Sequence, residues 1–85
     1  MVRSMALEWA SRNIRVNAIN PGWMEKSMKG VTRDPGQEAQ IRQLTPMGRR
    51  GFPKELIGPV VFLASEASSF VTGISLVVDG GWCCL

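Results

Sequence analysis

The 85-residue chain has no histidine and no tyrosine, and its only two cysteines are neighbours. Without histidine, neither a Ser-His-Asp triad nor a histidine-ligated metal site can be built within these residues. Cys83 and Cys84 are adjacent, a spacing that bridges only with strain, and two thiolates alone make a poor zinc site. They read as small apolar residues in a tail, and no metal site is expected. Nothing in this cysteine usage points to an oxidising compartment, so a cytoplasmic location is expected. No apolar run approaches the ~18 residues of a membrane span. The opening "MVRSMALEWA" is too short and too interrupted for a secretory signal. Net charge is a mild +3, with the basic residues scattered among acids and not interleaved with aromatics. Neither a nucleic acid nor a membrane is therefore expected as a partner.

What is present is globular in composition, 45% hydrophobic and 20% charged. The length lies below the usual ~100–150 residues of a domain. A chain this short buries only about 60–65% of its unfolded surface, so its core is marginal.

"MVRSMALEWASRN" is rich in helix formers, with Met1, Met5 and Trp9 on one face and Val2, Ala6 and Ala10 beside them. No capping residue precedes this stripe, which is already in mid-stride at Met1. The expectation is the tail of a longer helix. "IRVNAIN" alternates and is β-branched, which predicts a strand over 14–20 closed by Pro21 and Gly22. From Trp23 to Gly51 the chain is polar and punctuated, with a turn signal at "RDPG" and about two helical turns in "QEAQIRQL". Such a section is expected to serve as a lid. "PKELIGPVVFLASEAS" predicts a second helix that opens at Pro53 and kinks at Pro59. "ISLVVDGG" predicts a second strand. Strand, crossover, strand makes a βαβ unit with parallel strands, and parallel sheets need helices on both faces. The predicted fold class is therefore α/β: one edge of a doubly wound parallel sheet rather than a whole one.

In such sheets ligands bind beyond the carboxyl ends of the strands. Asn20-Pro21-Gly22 stands at such an end. A small turn there lets a flat ligand approach the backbone, and a following lid can close over it. The plainer alternative is an ordinary tight turn after a strand.

The phrases "SMALEWASRNIRVNAINPG", "PMGRRGFPKELIGPVVFLASEASSFVTG" and "LVVDGGW" bear on that choice. In order and spacing they resemble the C-terminal part of the short-chain dehydrogenase/reductase family, across nearly the whole chain and most weakly between Lys26 and Leu44. The resemblance implies a Rossmann-like fold, with residues 1–85 as the C-terminal segment of one NAD(P)-binding domain and a lid over about 23–51. It implies NAD or NADP as cofactor, an alcohol or ketone of a small molecule as substrate, and a homo-oligomer. It places Pro21, Gly22, Trp23 and Met24 at the nicotinamide end of the cofactor, with Met24 offering backbone groups to the carboxamide. The family's threonine four residues beyond the glycine is Lys26 here. A lysine accepts no hydrogen bond, and the adjacent Ser27 is the candidate to supply the hydroxyl. Arg49, Gly51, Pro53 and Glu55 match a family phrase read as structural. Asn17 is read as a backbone-satisfying strand residue, not as the family's catalytic asparagine.

The family's glycine-rich loop and its catalytic Ser, Tyr and Lys have no counterpart in these residues, so no catalytic residue is assigned. The chain alone is expected to be inactive, and the codons upstream of Met1 are expected to encode Tyr-x-x-x-Lys. The alternative is a non-catalytic interaction protein that docks onto a full-length relative.

Overall fold

Two four-residue strands, β1 (Ala18–Pro21) and β2 (Ser75–Val78), lie side by side in parallel, with Ala18 opposite Ser75 and Pro21 opposite Val78. They form the sheet of a computed structural model that describes residues 1–25 and 34–84. Helices α1 (Val2–Trp9), α2 (Pro35–Leu44) and α3 (Ile57–Ala64) complete the regular structure, with short 3₁₀ turns between them. The α/β class and the parallel pairing are as the sequence predicts.

α1 ends in a 3₁₀ turn over Ala10–Arg12, and Asn13 closes it in the left-handed conformation at φ 61°. Asparagine tolerates that region better than most residues. The predicted strand over 14–20 is shorter in fact and shifted toward its carboxyl end. Residues 14–17 run alongside the 71–74 turn and are held mainly by side chains. The Asn17 amide donates to the Val71 carbonyl at 3.0 Å, and its oxygen accepts from the Ile74 amide at 3.2 Å. That is the backbone-satisfying role expected of it. Arg15 donates to the Leu63 and Ser65 carbonyls at 2.9 and 3.3 Å. A cation there complements the carboxyl end of α3.

β1 includes Pro21 rather than stopping at Asn20. Ala18 and Gly22 donate to the Ile74 and Val78 carbonyls. Alternate residues of a parallel strand face the partner, so residue 21 turns its nitrogen away from β2 and its missing N–H costs the ladder nothing.

α2 begins earlier than the predicted turn signal allows. Asp34 is its N-cap and accepts from the Gly36 amide at 3.0 Å, with Pro35 at the first helical position. "DPG" therefore starts a helix, because an aspartate before a proline satisfies the orphan amides of a first turn. The predicted helix over 53–68 is split into a 3₁₀ turn over Pro53–Leu56, then α3, then a 3₁₀ turn over Glu66–Ser68. Pro59 lies in the first turn of α3, where a missing N–H is tolerated. The change of helix type falls between Leu56 and Ile57, ahead of the position where the kink is expected.

Among the described residues, Ala6 and Ile41 are the buried apolar side chains, with Thr45 and Ser68 as buried polar ones. Leu7, Ile57, Val60, Val61 and Phe70 are exposed, Phe70 fully so. The radius of gyration is 16.0 Å, against about 12 Å for a compact chain of this length. Exposed apolar faces on this scale associate in water. The isolated chain is therefore expected to self-associate or to be molten, as sedimentation velocity and near-ultraviolet dichroism of its three tryptophans would report. A monodisperse monomer with a cooperative melt would contradict this.

Candidate functional site

The two strands end together, and the site is built on that end. Gly22 donates to the Val78 carbonyl at 3.0 Å. A Cβ at Gly22 would fall 2.6 Å from the Asp79 Cβ and 2.8 Å from its Cα. Glycine is thus required because the two chains touch as they leave the sheet. Beyond it, Trp23 and Met24 run beside Gly51. The Gly51 amide donates to the Trp23 carbonyl at 2.9 Å and the Glu25 amide to the Gly51 carbonyl at 2.7 Å.

The turn after α2 docks on the end of β2. The Met47 amide donates to the Gly80 carbonyl at 3.1 Å. Gly81, at φ 96°, leaves room for the Pro46 ring, which a Cβ would meet at 2.9 Å. Trp23, Met24, Met47, Arg49, Glu55 and the Val78–Gly80 stretch line a cleft of about 50 Å³. Of the predicted site residues, the fold brings Trp23 and Met24 into this cleft. Pro21 and Gly22 form the floor that aims them and do not line it. Ser27, like Lys26, lies outside the described residues.

Three charged residues, Arg49, Glu55 and Asp79, stand in the walls. Arg49 and Glu55 form a bidentate pair at 2.7 and 3.1 Å, and Glu55 also accepts from the Phe52 amide at 2.9 Å. The glutamate thus caps the turn that opens the second helical segment, which fits the structural reading of that phrase. The hydrogen bond from Arg49, then that from the Phe52 amide, lowers the Glu55 carboxyl to about 2. Asp79 accepts from the Gly81 and Cys83 amides at 2.9 and 2.8 Å and so fixes the turn after β2. Its hydrogen bond with the Cys83 side chain raises that thiol above its ordinary value.

Arg50 reaches furthest. Its Nε donates to both Glu38 oxygens at 2.9 and 3.0 Å, its Nη2 also binds Glu38, and its Nη1 donates to the Met24 carbonyl at 3.1 Å. The guanidinium lies 5.8 Å over the Trp23 ring. Trp23 in turn meets Trp82 edge-on at 5.9 Å. Sequence reasoning passed over Arg50 and Asp79. Arg50 stands among other arginines with no periodic partner, and Glu38 is twelve residues away.

A family model described as enoyl-(acyl carrier protein) reductase matches residues 1–83. The 2-dehydro-3-deoxy-D-gluconate 5-dehydrogenase of Escherichia coli is 48% identical over 83 residues, 96% of this chain and 33% of that protein. The chain belongs to the short-chain dehydrogenase/reductase family. A short-chain type dehydrogenase/reductase from Mycobacterium marinum superposes with a TM-score of 0.82 at 38% identity, over 99% of this chain and 30% of that one. A protein of Agrobacterium tumefaciens provisionally assigned as a 2-deoxy-D-gluconate 3-dehydrogenase, with NADP bound, superposes at 0.90 and 38%, over 99% and 35%. The chain spans about a third of the length of the relatives it matches. Its sheet pair and helices are thus part of a Rossmann-fold dehydrogenase architecture. No helix among the described residues is long and apolar enough to cross a membrane.

The Arg49–Glu55 pair gives a pH dependence with a defined sign. The Glu55 carboxyl is lowered in the fold, so the pair stabilises the fold above the ordinary glutamate value of 4.5. That contribution is lost as pH falls from there toward about 2. Carbon-detected NMR titration of Glu55, with these residues folded in place of the matching segment of a full-length relative, should give a midpoint near 2. The midpoint should move up toward the ordinary value in Arg49→Gln; one already ordinary before that substitution would contradict the pairing.

Proposed function

We propose that these residues form the nicotinamide-facing, C-terminal segment of a single NAD(P)-binding domain in an oxidoreductase. That enzyme uses NAD or NADP and acts on an alcohol or ketone of a small molecule. The observation that carries the reading is the Trp23-Met24 segment, which leaves the carboxyl end of a parallel strand and lines a cleft. Met24 pairs with Gly51 through its neighbours' peptide groups, so its own N–H and C=O face the other way. The carbonyl is taken by Arg50, and the N–H has no partner among the described residues. A carboxamide oxygen fits that donor, and the indole of Trp23 offers a flat apolar wall. Pro21 and Gly22 would shape the approach and Ser27 would add a hydroxyl. When bound, the nicotinamide supplies or accepts the hydride.

The general acid for such a transfer must come from outside these residues, since they contain no tyrosine. The isolated chain is accordingly inactive in this reading, and the cytoplasm suits a cysteine-poor enzyme. In the intact enzyme the exposed faces are covered by the rest of the domain and by further copies in a homo-oligomer. The exposed Ile57, Val60 and Val61 of α3 favour a second reading, in which the free chain docks onto a full-length relative as a non-catalytic partner.

The test is a chimera. This chain replaces the matching third of the Escherichia coli gluconate-type dehydrogenase, and the gluconate-type names of two relatives make a keto-deoxy sugar acid the first substrate to try. The chimera is expected to bind NAD(P)H and to turn over, while the 85-residue chain does neither. A folded chimera that binds no nicotinamide cofactor, or turnover that co-purifies with the isolated chain, would overturn the proposal.

A further inference from the structure

Two arginine–carboxylate pairs flank the cleft, and they differ in kind. The Arg49 and Glu55 side chains are 42% and 37% exposed, whereas those of Arg50 and Glu38 are 10% and 16% exposed. An exposed pair contributes little. A guanidinium largely withdrawn from water must instead have its donors satisfied. Arg50 joins two parts of the chain: the Glu38 carboxylate on α2, and the segment beyond β1 through the Met24 carbonyl and the face of Trp23.

We infer that Arg50 is a positioning residue for the cofactor end of the cleft: it occupies the Met24 carbonyl and ties that peptide, through Glu38, to α2. This rests on the reading of the cleft given above and extends it. An amide ligand brings both a donor and an acceptor. A free peptide edge would accept either, so the ligand could bind in two orientations. With the Met24 carbonyl already accepting from the Arg50 guanidinium, a second donor there would face that cation, so the Met24 N–H is the favoured contact. The ligand's oxygen is then the atom held, and its NH₂ must turn elsewhere. Glu38 fixes the guanidinium in two-point geometry, which the ammonium of a lysine, a point charge without a planar fork, cannot reproduce. Any displacement of α2 is thereby transmitted to Met24 and to the Trp23 ring.

The experiment uses the chimera. There, Arg50→Ala should shift the tryptophan emission and lower hydrogen-exchange protection in α2. In the chimera it should raise the cofactor KM about tenfold, the range of a charge-assisted hydrogen bond, with kcat changed less than about twofold. Glu38→Gln keeps the size and much of the bonding, so it is the variant to read if Arg50→Ala fails to fold; it should raise KM in the same direction. Combining the two should cost less than the sum, the sign of a shared interaction. Arg50→Lys should rescue only part. An unchanged cofactor KM in a folded Arg50→Ala chimera, or strictly additive effects with Glu38→Gln, overturns the inference alone. Failure of the unsubstituted chimera to bind cofactor overturns the cleft assignment and the inference with it.

Discussion

The close contact of Gly22 with Asp79 is the constraint on which the site depends. The two parallel strands end at the same level, and their backbones approach so nearly that a single Cβ would meet Asp79 at 2.6 Å. Because they do, the segment after β1 and the turn after β2 open side by side. Asp79 then uses both carboxylate oxygens to hold its own turn. That turn gives the Met47 amide an acceptor and the Pro46 ring a seat, which brings in the chain that follows α2. The cleft is a consequence of chain ends held at fixed separation, not of a core beneath it.

The absence of that core shapes the rest. With two buried apolar side chains among the described residues, hydrophobic burial within the chain cannot set the geometry. Directional interactions do so locally: Arg15 on the carboxyl end of α3, Asn17 across to the 71–74 turn, Glu55 on the Phe52 amide, and Arg50 between α2 and Met24. Apart from Glu55, which closes its own turn, each joins segments distant in sequence through a polar side chain and a backbone group. Apolar residues of α1 and α3, among them Leu7, Ile57, Val60 and Val61, are left exposed.

The sequence made some of this legible because the controlling signal was local. Alternation and β-branching located β2 and the end of β1, and Pro53 marked a helical start. Asn17 was readable because a polar residue at a strand's edge has few other tasks. Boundaries failed where a side chain replaced a regular pattern. Residues 14–17 alternate like a strand but are held by Asn17 and Thr72. "DPG" has turn chemistry that serves equally as a helix cap, and only the Asp34 bond to Gly36 decides between them. Gly22 was expected to make room for a ligand; its nearest constraint is Asp79, 57 positions on in the chain. Arg50 could not be found at all, since its role exists only once α2 and Met24 are adjacent.

The central claim is that the Met24 peptide edge, aimed by Gly22 and held by Arg50, meets the carboxamide of a nicotinamide cofactor. The most direct measurement is the amide nitrogen–proton spectrum of the chimera, labelled in this segment, during titration with NADPH. The account predicts that the Met24 amide and the Trp23 indole shift together and saturably, with nuclear Overhauser contacts from the Trp23 ring to the nicotinamide ring. Saturable cofactor binding that leaves both signals in place would contradict it.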